Sequence, residues 1–296
     1  MVSEDIAAIT DQFAPISLEA INTRASLQVR ADNKYFLTWP MFNEFMTSLR
    51  HSHAIMEIGG QRAFAYDTQY FDTVGLANYW SHMQERRKRF KCRCRNYVDS
   101  GLHVFEIKLK GGRGETIKHK IGYSADDWGG VSPAASTFLQ NHLANSYGMA
   151  LTEQMVPTLR TLYRRITLAA LDSTERITCD IDLLLGTHDA WHGRMAREYV
   201  LIETKSESGR GAIDHILWRM GARPTPGSKY CLGMSLLRPE LRSNPFQHVR
   251  KTYFVRDADA ALPQQPIEAV ERPRLTPHQT YQPAPAIPAF GMASAD

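Results

Sequence analysis

The residues richest in chemistry sit in one short run. Arg87, Arg89, Lys91, Arg93, Arg95 and Tyr97 occupy its odd places, whereas the even places from 90 onward are Phe90, Cys92, Cys94 and Asn96. Successive side chains of a strand point to opposite faces, so this alternation makes one face cationic and the other largely apolar. The same sorting groups Arg30 with Asp32 and Lys34, Glu106 with Lys108 and Lys110, and Lys118 with Lys120. It also groups Arg176 with Asp180 and Asp182, and Glu203 with Lys205. The opposite faces carry Val29 with Ala31, Phe105 with Ile107 and Leu109, Ile177 with Cys179 and Ile181, and Val200 with Ile202. A single such strand would pass for an ordinary half-solvated one. Repetition over several strands is different, because like charges on neighbouring strands repel unless an anion lies between them. Arginine, through its planar fork, and lysine, as a point charge, suit phosphate oxygens. The few carboxylates among them, chiefly Glu203 with Glu106, Asp180 or Asp182, suit a hard divalent ion that accompanies phosphoryl groups.

These faces must be carried by strands, and period-2 patterns supply them. They run over Leu27–Tyr35, Ala63–Asp72, Lys88–Tyr97, His103–Lys110 and Glu115–Ile121, then near Leu159–Leu168, Arg176–Leu185 and Arg197–Lys205. Asp99-Ser100-Gly101 and Gly111-Gly112-Arg113-Gly114 have hairpin chemistry. Pro40 opens a helix with a buried stripe of Phe42, Phe45, Met46 and Leu49. Ser132-Pro133 caps a second that runs to about Tyr147, and Ile213, Ile216, Leu217 and Met220 mark a third that ends at Gly221. A loop then leads into Ser228–Leu236. The pattern is an α+β chain whose antiparallel strands can close into a barrel. Residues 1–20 read as a helical segment, 21–257 as the domain, and 258–296, rich in Pro, Ala and Gln, as a disordered tail.

Composition excludes several classes. With 296 residues and 43% hydrophobic content the chain can bury a real core. No apolar run is long enough for a membrane span and the acidic N-terminus is no secretory signal, so a cytoplasmic location is expected. Cys92, Cys94, Cys179 and Cys231 lack zinc or disulfide spacing and read as reduced packing residues. His51, His53, His82, His188 and His192 have no ligand spacing with one another, and Gly111–Gly114 lacks the Lys-Ser/Thr ending of a P-loop. A nucleic-acid reader would need stacking aromatics on the basic sheet, where the sequence offers mainly Tyr97, so no nucleic acid is expected.

The run RRKRFKCRCRNYVDSGLHVFEIKLKGGRGETIKHK, preceded by YFDT and followed by YRRIT, ERITCDIDL, LIETKS and SKYCLG, resembles a VTC-type polyphosphate polymerase domain of the triphosphate tunnel metalloenzyme (CYTH-like) superfamily. The resemblance runs in order from about Arg30 to Phe254. It implies an eight-stranded antiparallel tunnel with a charged interior and helices outside, ATP as phosphoryl donor, a manganese or magnesium ion, and linear polyphosphate as product. Phosphate, pyrophosphate or the polyphosphate end would be the acceptor.

Carried over by residue, Lys34 resembles the lysine near the transferred phosphate, and Arg93 and Arg95 the arginines that grip the triphosphate. Arg89 and Lys91 extend that row, with Arg30 on the Lys34 face. Lys108 with Lys118 or Lys120 resembles further tunnel lysines, and Arg165 and Arg176 two more phosphate-binding arginines. Glu203 resembles the metal-binding glutamate, with Lys205 beside it, and Lys229 the lysine at the far mouth. Glu106 and Asp180 are weaker metal candidates that would otherwise orient cations. Hydrolytic relatives open on an acidic E-x-E-x-K strand; Arg30, Asp32 and Lys34 stand there instead, which favours polymerase over triphosphatase. A triphosphatase and a non-catalytic polyphosphate- or nucleotide-binding module are the alternatives. The SPX domain and membrane helices of yeast-like VTC proteins do not occur in these 296 residues.

Overall fold

The computed structural model describes residues 2–24, 31–112 and 115–256. Arg30 and the expected tail lie outside the described residues. The N-terminal elements are α1 (Val2–Thr10), β1 (Ala14–Ile16) and α2 (Leu18–Arg24). Then come β2 (Ala31–Thr38), α3 (Trp39–Leu49), β3 (His53–Met56), β4 (Ala63–Asp72) and α4 (Ala77–Met83). A meander of β5 (Phe90–Tyr97), β6 (Leu102–Lys110) and β7 (Thr116–Gly122) leads to α5 (Pro133–Tyr147). Four strands follow: β8 (Val156–Ala170), β9 (Arg176–Gly186), β10 (Trp191–Met195) and β11 (Tyr199–Ser206). The chain continues with α6 (Ala212–Arg219), α7 (Lys229–Leu237), α8 (Gln247–Tyr253) and β12 (Phe254–Arg256).

The hairpin turn expected at Asp99-Ser100-Gly101 forms between β5 and β6, and Arg113 and Gly114 of the second expected turn lie outside the described residues. Gly101 takes φ 66°, a left-handed conformation that glycine adopts at little cost, and the Asp99 carboxylate accepts from the Ala65 amide at 2.7 Å. Ser132 caps α5 by accepting from the Ala135 amide, and Pro133 occupies the first turn, where its missing N–H costs nothing.

Eight strands pair antiparallel in the order β7-β6-β5-β4-β8-β9-β11-β2. Strand β9 divides its edge: Arg176–Asp180 pair with β11 and Leu184–Gly186 with β10. The sheet curls on itself, because Lys108 Nζ of β6 reaches Asp32 Oδ2 of β2 at 3.5 Å although the two strands lie near opposite ends of the walk. It does not close by backbone hydrogen bonds: among the described residues β2 and β7 are not paired. The tunnel wall therefore has a seam, bridged by side chains.

Apolar side chains take the outer face, as the alternation requires. Cys179, Ile181, Val200 and Ile202 pack with Phe42, Phe45 and Leu49 of α3 and Leu217 of α6. Cys92, Cys94, Phe105 and Ile107 pack with Leu139 and Leu143 of α5. All four cysteines are free and buried.

The segment after Ser228 is a helix that lies within the concavity of the sheet. Its residues from Lys229 to Leu236 are all buried, which explains the lack of an amphipathic stripe in the sequence. Ser228 Oγ accepts from the Cys231 amide to start the helix. Gly233 permits the approach, since a Cβ there would lie 2.6 Å from Leu159 Cδ2 of β8. Tyr230 donates to the buried Asp72 carboxylate, which also accepts from the Thr73, Asn78 and Tyr79 amides. Through Asp72, α7 is tied to β4 and α4.

Candidate functional site in a cationic tunnel

Strand registers bring the predicted charges onto one inner surface. Lys34 pairs with Glu203, Asp32 with Lys205, and Lys205 in turn with Arg176. Farther round, Asp180 pairs with Arg165, Arg93 with Glu106, and Lys91 with Lys108. Lys118 and Lys120 stand opposite Lys108 and Glu106 on the exposed strand β7. The grouping of Asp182 with Arg176 and Asp180 is overturned. The β8–β9 register shifts between Leu162 and Arg164, and Asp182 adopts φ 54°. This bulge turns Asp182 outward onto Arg164 at 2.5 Å, and Leu183 and Leu185 take the inner face against α7.

The interior carboxylates are not equivalent. Glu106 accepts from Arg93 at 2.6 and 2.7 Å and lies 3.6 Å from Arg95. Asp180, fully buried, accepts two bonds from Arg165, at 2.6 and 2.8 Å, and one from Lys229. Burial pushes the Asp180 carboxyl up, but Arg165 and Lys229 outweigh it and hold it at about 2. Glu106 is held low in the same way by Arg93 and Arg95 against its burial. Both carboxylates are thus engaged by cations in this structure, the second of the two roles the sequence left open for them. Glu203 has the loosest pairing, 3.7 Å from Lys205. Lys205, Lys34 and Lys229 hold its carboxyl well below the usual range in spite of burial.

Among the described residues no three His, Cys, Asp or Glu side chains gather to form a metal cage. The donors fit a narrower role. A small hard cation keeps water and is commonly held by one or two carboxylates plus substrate phosphates, and Glu203 offers such a carboxylate.

The cations are partly preorganised and partly strained by one another. Burial pushes the Lys205 ammonium down to about 7, only partly offset by Glu203. Lys91 is lowered to about 8, first by burial and also by Lys108, Lys34 and Arg89. Arg95 is 7% exposed, and its Nε has no hydrogen-bond partner among the described residues. An anion's oxygen would satisfy that donor. Arg89 departs from the expected row: it turns back to the Glu85 and Arg86 carbonyls at 3.2 and 2.6 Å. It still borders a recess of about 170 Å³ with His82, Lys91, Lys108, Lys110 and Thr116. Lys229 is not at a mouth but buried at the start of α7, over the Tyr163 ring at 4.7 Å.

Tyrosines complete the inner wall, a feature the sequence reading limited to Tyr97. Tyr66 and Tyr163 stack at 5.4 Å. Arg165 lies over both at 5.2 Å, and Arg95 lies over Tyr66 and Tyr97 at 5.3 and 5.8 Å. Tyr70 OH accepts from Arg93 at 3.2 Å. The signal was present in the even positions of β4, Tyr66, Thr68 and Tyr70, which pair with Tyr97, Arg95 and Arg93.

A family model described as "VTC domain" matches residues 29–238, most of the chain and all the strands that build this tunnel wall. The chain belongs to the VTC domain family. No curated protein matches it. The VTC chain is also similar to three solved structures. A candidate adenylate cyclase from Bacillus halodurans shares 12% identity at a TM-score of 0.41, over 68% of this chain and 94% of that one. A candidate adenylyl cyclase from Hippeastrum, described as having a dominant triphosphatase activity, shares 14% at 0.42, over 69% and 94%. One from Vibrio parahaemolyticus shares 11% at 0.42, over 69% and 96%. No helix among the described residues of this VTC domain is long and apolar enough to cross a membrane.

Proposed function

We propose that this VTC domain is a polyphosphate polymerase that moves the terminal phosphoryl group of ATP onto a growing polyphosphate chain. The observation that carries the reading is the state of the interior carboxylates. Glu106, Asp180 and Glu203 are all held ionised by neighbouring cations. A carboxylate of such low basicity is poorly suited to take the proton of an attacking water. A phosphate acceptor is already anionic at neutral pH and needs no base. Lys205 and Lys91, lowered to about 7 and about 8, come nearest to the range of a base, and phosphate oxygens near them would return their protons.

In this reading Arg93, Arg95 and Arg165 bind the triphosphate, with Lys91, Lys108, Lys118, Lys120, Arg176, Lys205 and Lys229 neutralising the rest of the anion. Lys34 holds the transferred phosphoryl group, and Glu203 would hold a manganese or magnesium ion, which would supply Lewis-acid neutralisation of phosphate oxygens. The bond from the γ-phosphorus to the bridging oxygen breaks, ADP leaves with that electron pair, and an acceptor phosphate oxygen forms the new bond. Phosphoryl transfer has a loose transition state, so alignment and charge neutralisation supply most of the acceleration. The test is dependence on acceptor. ADP formation from ATP should rise when pyrophosphate or short polyphosphate is added; a rate indifferent to acceptor, with free phosphate equal to ADP, would make the domain a triphosphatase.

A further inference from the structure

Strand β2 carries Lys34 at an edge of the sheet, because its only strand partner among the described residues is β11. An edge strand holds its register less firmly than a strand paired on both sides. Here two contacts on α6 and the following loop substitute for the missing partner. From behind the wall, the fully buried Asp214 of α6 accepts from Tyr35 OH at 2.7 Å and Asn33 Nδ2 at 3.1 Å, both on β2. The same carboxylate accepts from Thr204 Oγ1 at 2.7 Å on β11 and from the Gly211 amide at 3.0 Å. Asn33 and Thr204 face each other in the register next to the Lys34–Glu203 pair. At the edge itself, the Lys34 carbonyl accepts from the Thr225 amide at 2.8 Å and from Thr225 Oγ1 at 3.2 Å. Thr225 lies in the loop that joins α6 to α7, and Lys229 begins α7 four residues later.

We propose that Asp214 and Thr225 are positioning residues that clamp the edge strand and hold Lys34 level with Glu203 and Lys229. The inference rests on the tunnel as a phosphoryl-transfer site and adds residues that never touch its substrate. The clamp joins both strands that carry the site's least constrained charges, Lys34, Glu203 and Lys205. Asp214 cannot be replaced by its isosteric amide without loss. The amide introduced by Asp214→Asn would turn one acceptor into a donor among the Gly211 amide, the Thr204 hydroxyl and Tyr35.

A double-mutant cycle on the full chain tests it, with Asp214→Asn and Lys34→Ala singly and together, read in ATP turnover and in metal-free tripolyphosphate affinity. Misplacing Lys34 should lower kcat by about tenfold in Asp214→Asn while KM stays within about twofold. On the Lys34→Ala background the same change should cost less than about twofold, because the two residues act through one another. An equal loss on both backgrounds would overturn the inference, as would a Lys34→Ala variant indistinguishable from wild type. Thr225→Val and Thr225→Ser serve if Asp214→Asn does not fold: the valine should reduce kcat and the serine restore it, and equal kcat for both would count against the clamp. If wild type binds tripolyphosphate without turnover, the cycle is read in affinity, where additive losses would sink the clamp alone. Failure of wild type to bind tripolyphosphate would sink the site reading and the clamp with it.

Discussion

Glu203 and Lys34 face each other across the β2–β11 pair, and the only ion pair that Glu203 makes among the described side chains is with Lys205 at 3.7 Å. Glu106 and Asp180, by contrast, are gripped by guanidinium groups at 2.6 Å. This difference separates a carboxylate available to a metal ion from carboxylates that hold arginines in place.

Glu203→Gln should therefore split binding from turnover. Metal-dependent ATP turnover should fall by about 10²-fold, the scale of losing one electrostatic contact to a transferring group. Tripolyphosphate affinity without metal should stay level or rise, since a negative charge leaves the tunnel. Calorimetry and ADP release on the same preparation check both; parallel loss of affinity would mean that Glu203 is structural.

Asp180→Ala should be a stability variant. It leaves Arg165 and Lys229 buried without their counter-charge, a change expected to cost about 3–5 kcal/mol. Urea unfolding should show the loss, and tripolyphosphate should recover part of it by neutralising the same cations. Unchanged stability would refute the role given to Asp180.

Lys91 fixes the sign of a pH dependence. Its folded value is about 8 against 10.5 for an ordinary lysine, so between those values the unfolded chain holds a proton that the folded chain has released. Stability from this group therefore increases as pH rises from 8 to 10.5. Polyanion binding runs the other way: it restores the charge, takes up a proton at about pH 8 to 9, and weakens as pH rises. Calorimetry in buffers of different ionisation enthalpy measures the uptake. Lys91→Met should reduce it, and unchanged uptake would place the proton elsewhere.

Gly233→Ala tests whether α7 is seated in the concavity. The added methyl would meet Leu159 at 2.6 Å, and overpacking of this kind costs about 1–3 kcal/mol. A thermal melt equal to wild type would mean that the helix sits farther from β8.

Much of this arrangement was legible because burial on one face and charge on the other produce a period that survives in a single strand. Arg93, Arg95, Cys92 and Cys94 show it without any partner, as do Arg176 and Glu203, and the resemblance to VTC domains added Arg165. Asp182 was misplaced because a bulge changes the phase of alternation, and nothing local in DIDLLL marks where that happens. The Ser228–Leu236 segment had no period to read, since α7 is buried all round. Tyr66 and Tyr163 were missed because an inward tyrosine looks like a packing tyrosine until its arginine partners are known. Asp214 lies in sequence far from Asn33 and Tyr35, and no spacing rule joins them. Closure was also beyond the sequence: the seam between β2 and β7 is a property of strand geometry, bridged by Lys108 and Asp32.

The central claim concerns where the phosphoryl group goes, and phosphorus-31 NMR of one reaction, quenched with a chelator, follows every product. Purified protein with ATP, manganese or magnesium and a trace of pyrophosphate should give ADP matched by internal polyphosphate phosphorus, with little free phosphate, and Arg93→Ala should abolish the signal. ADP matched by free phosphate alone would contradict the account and make the tunnel a triphosphatase.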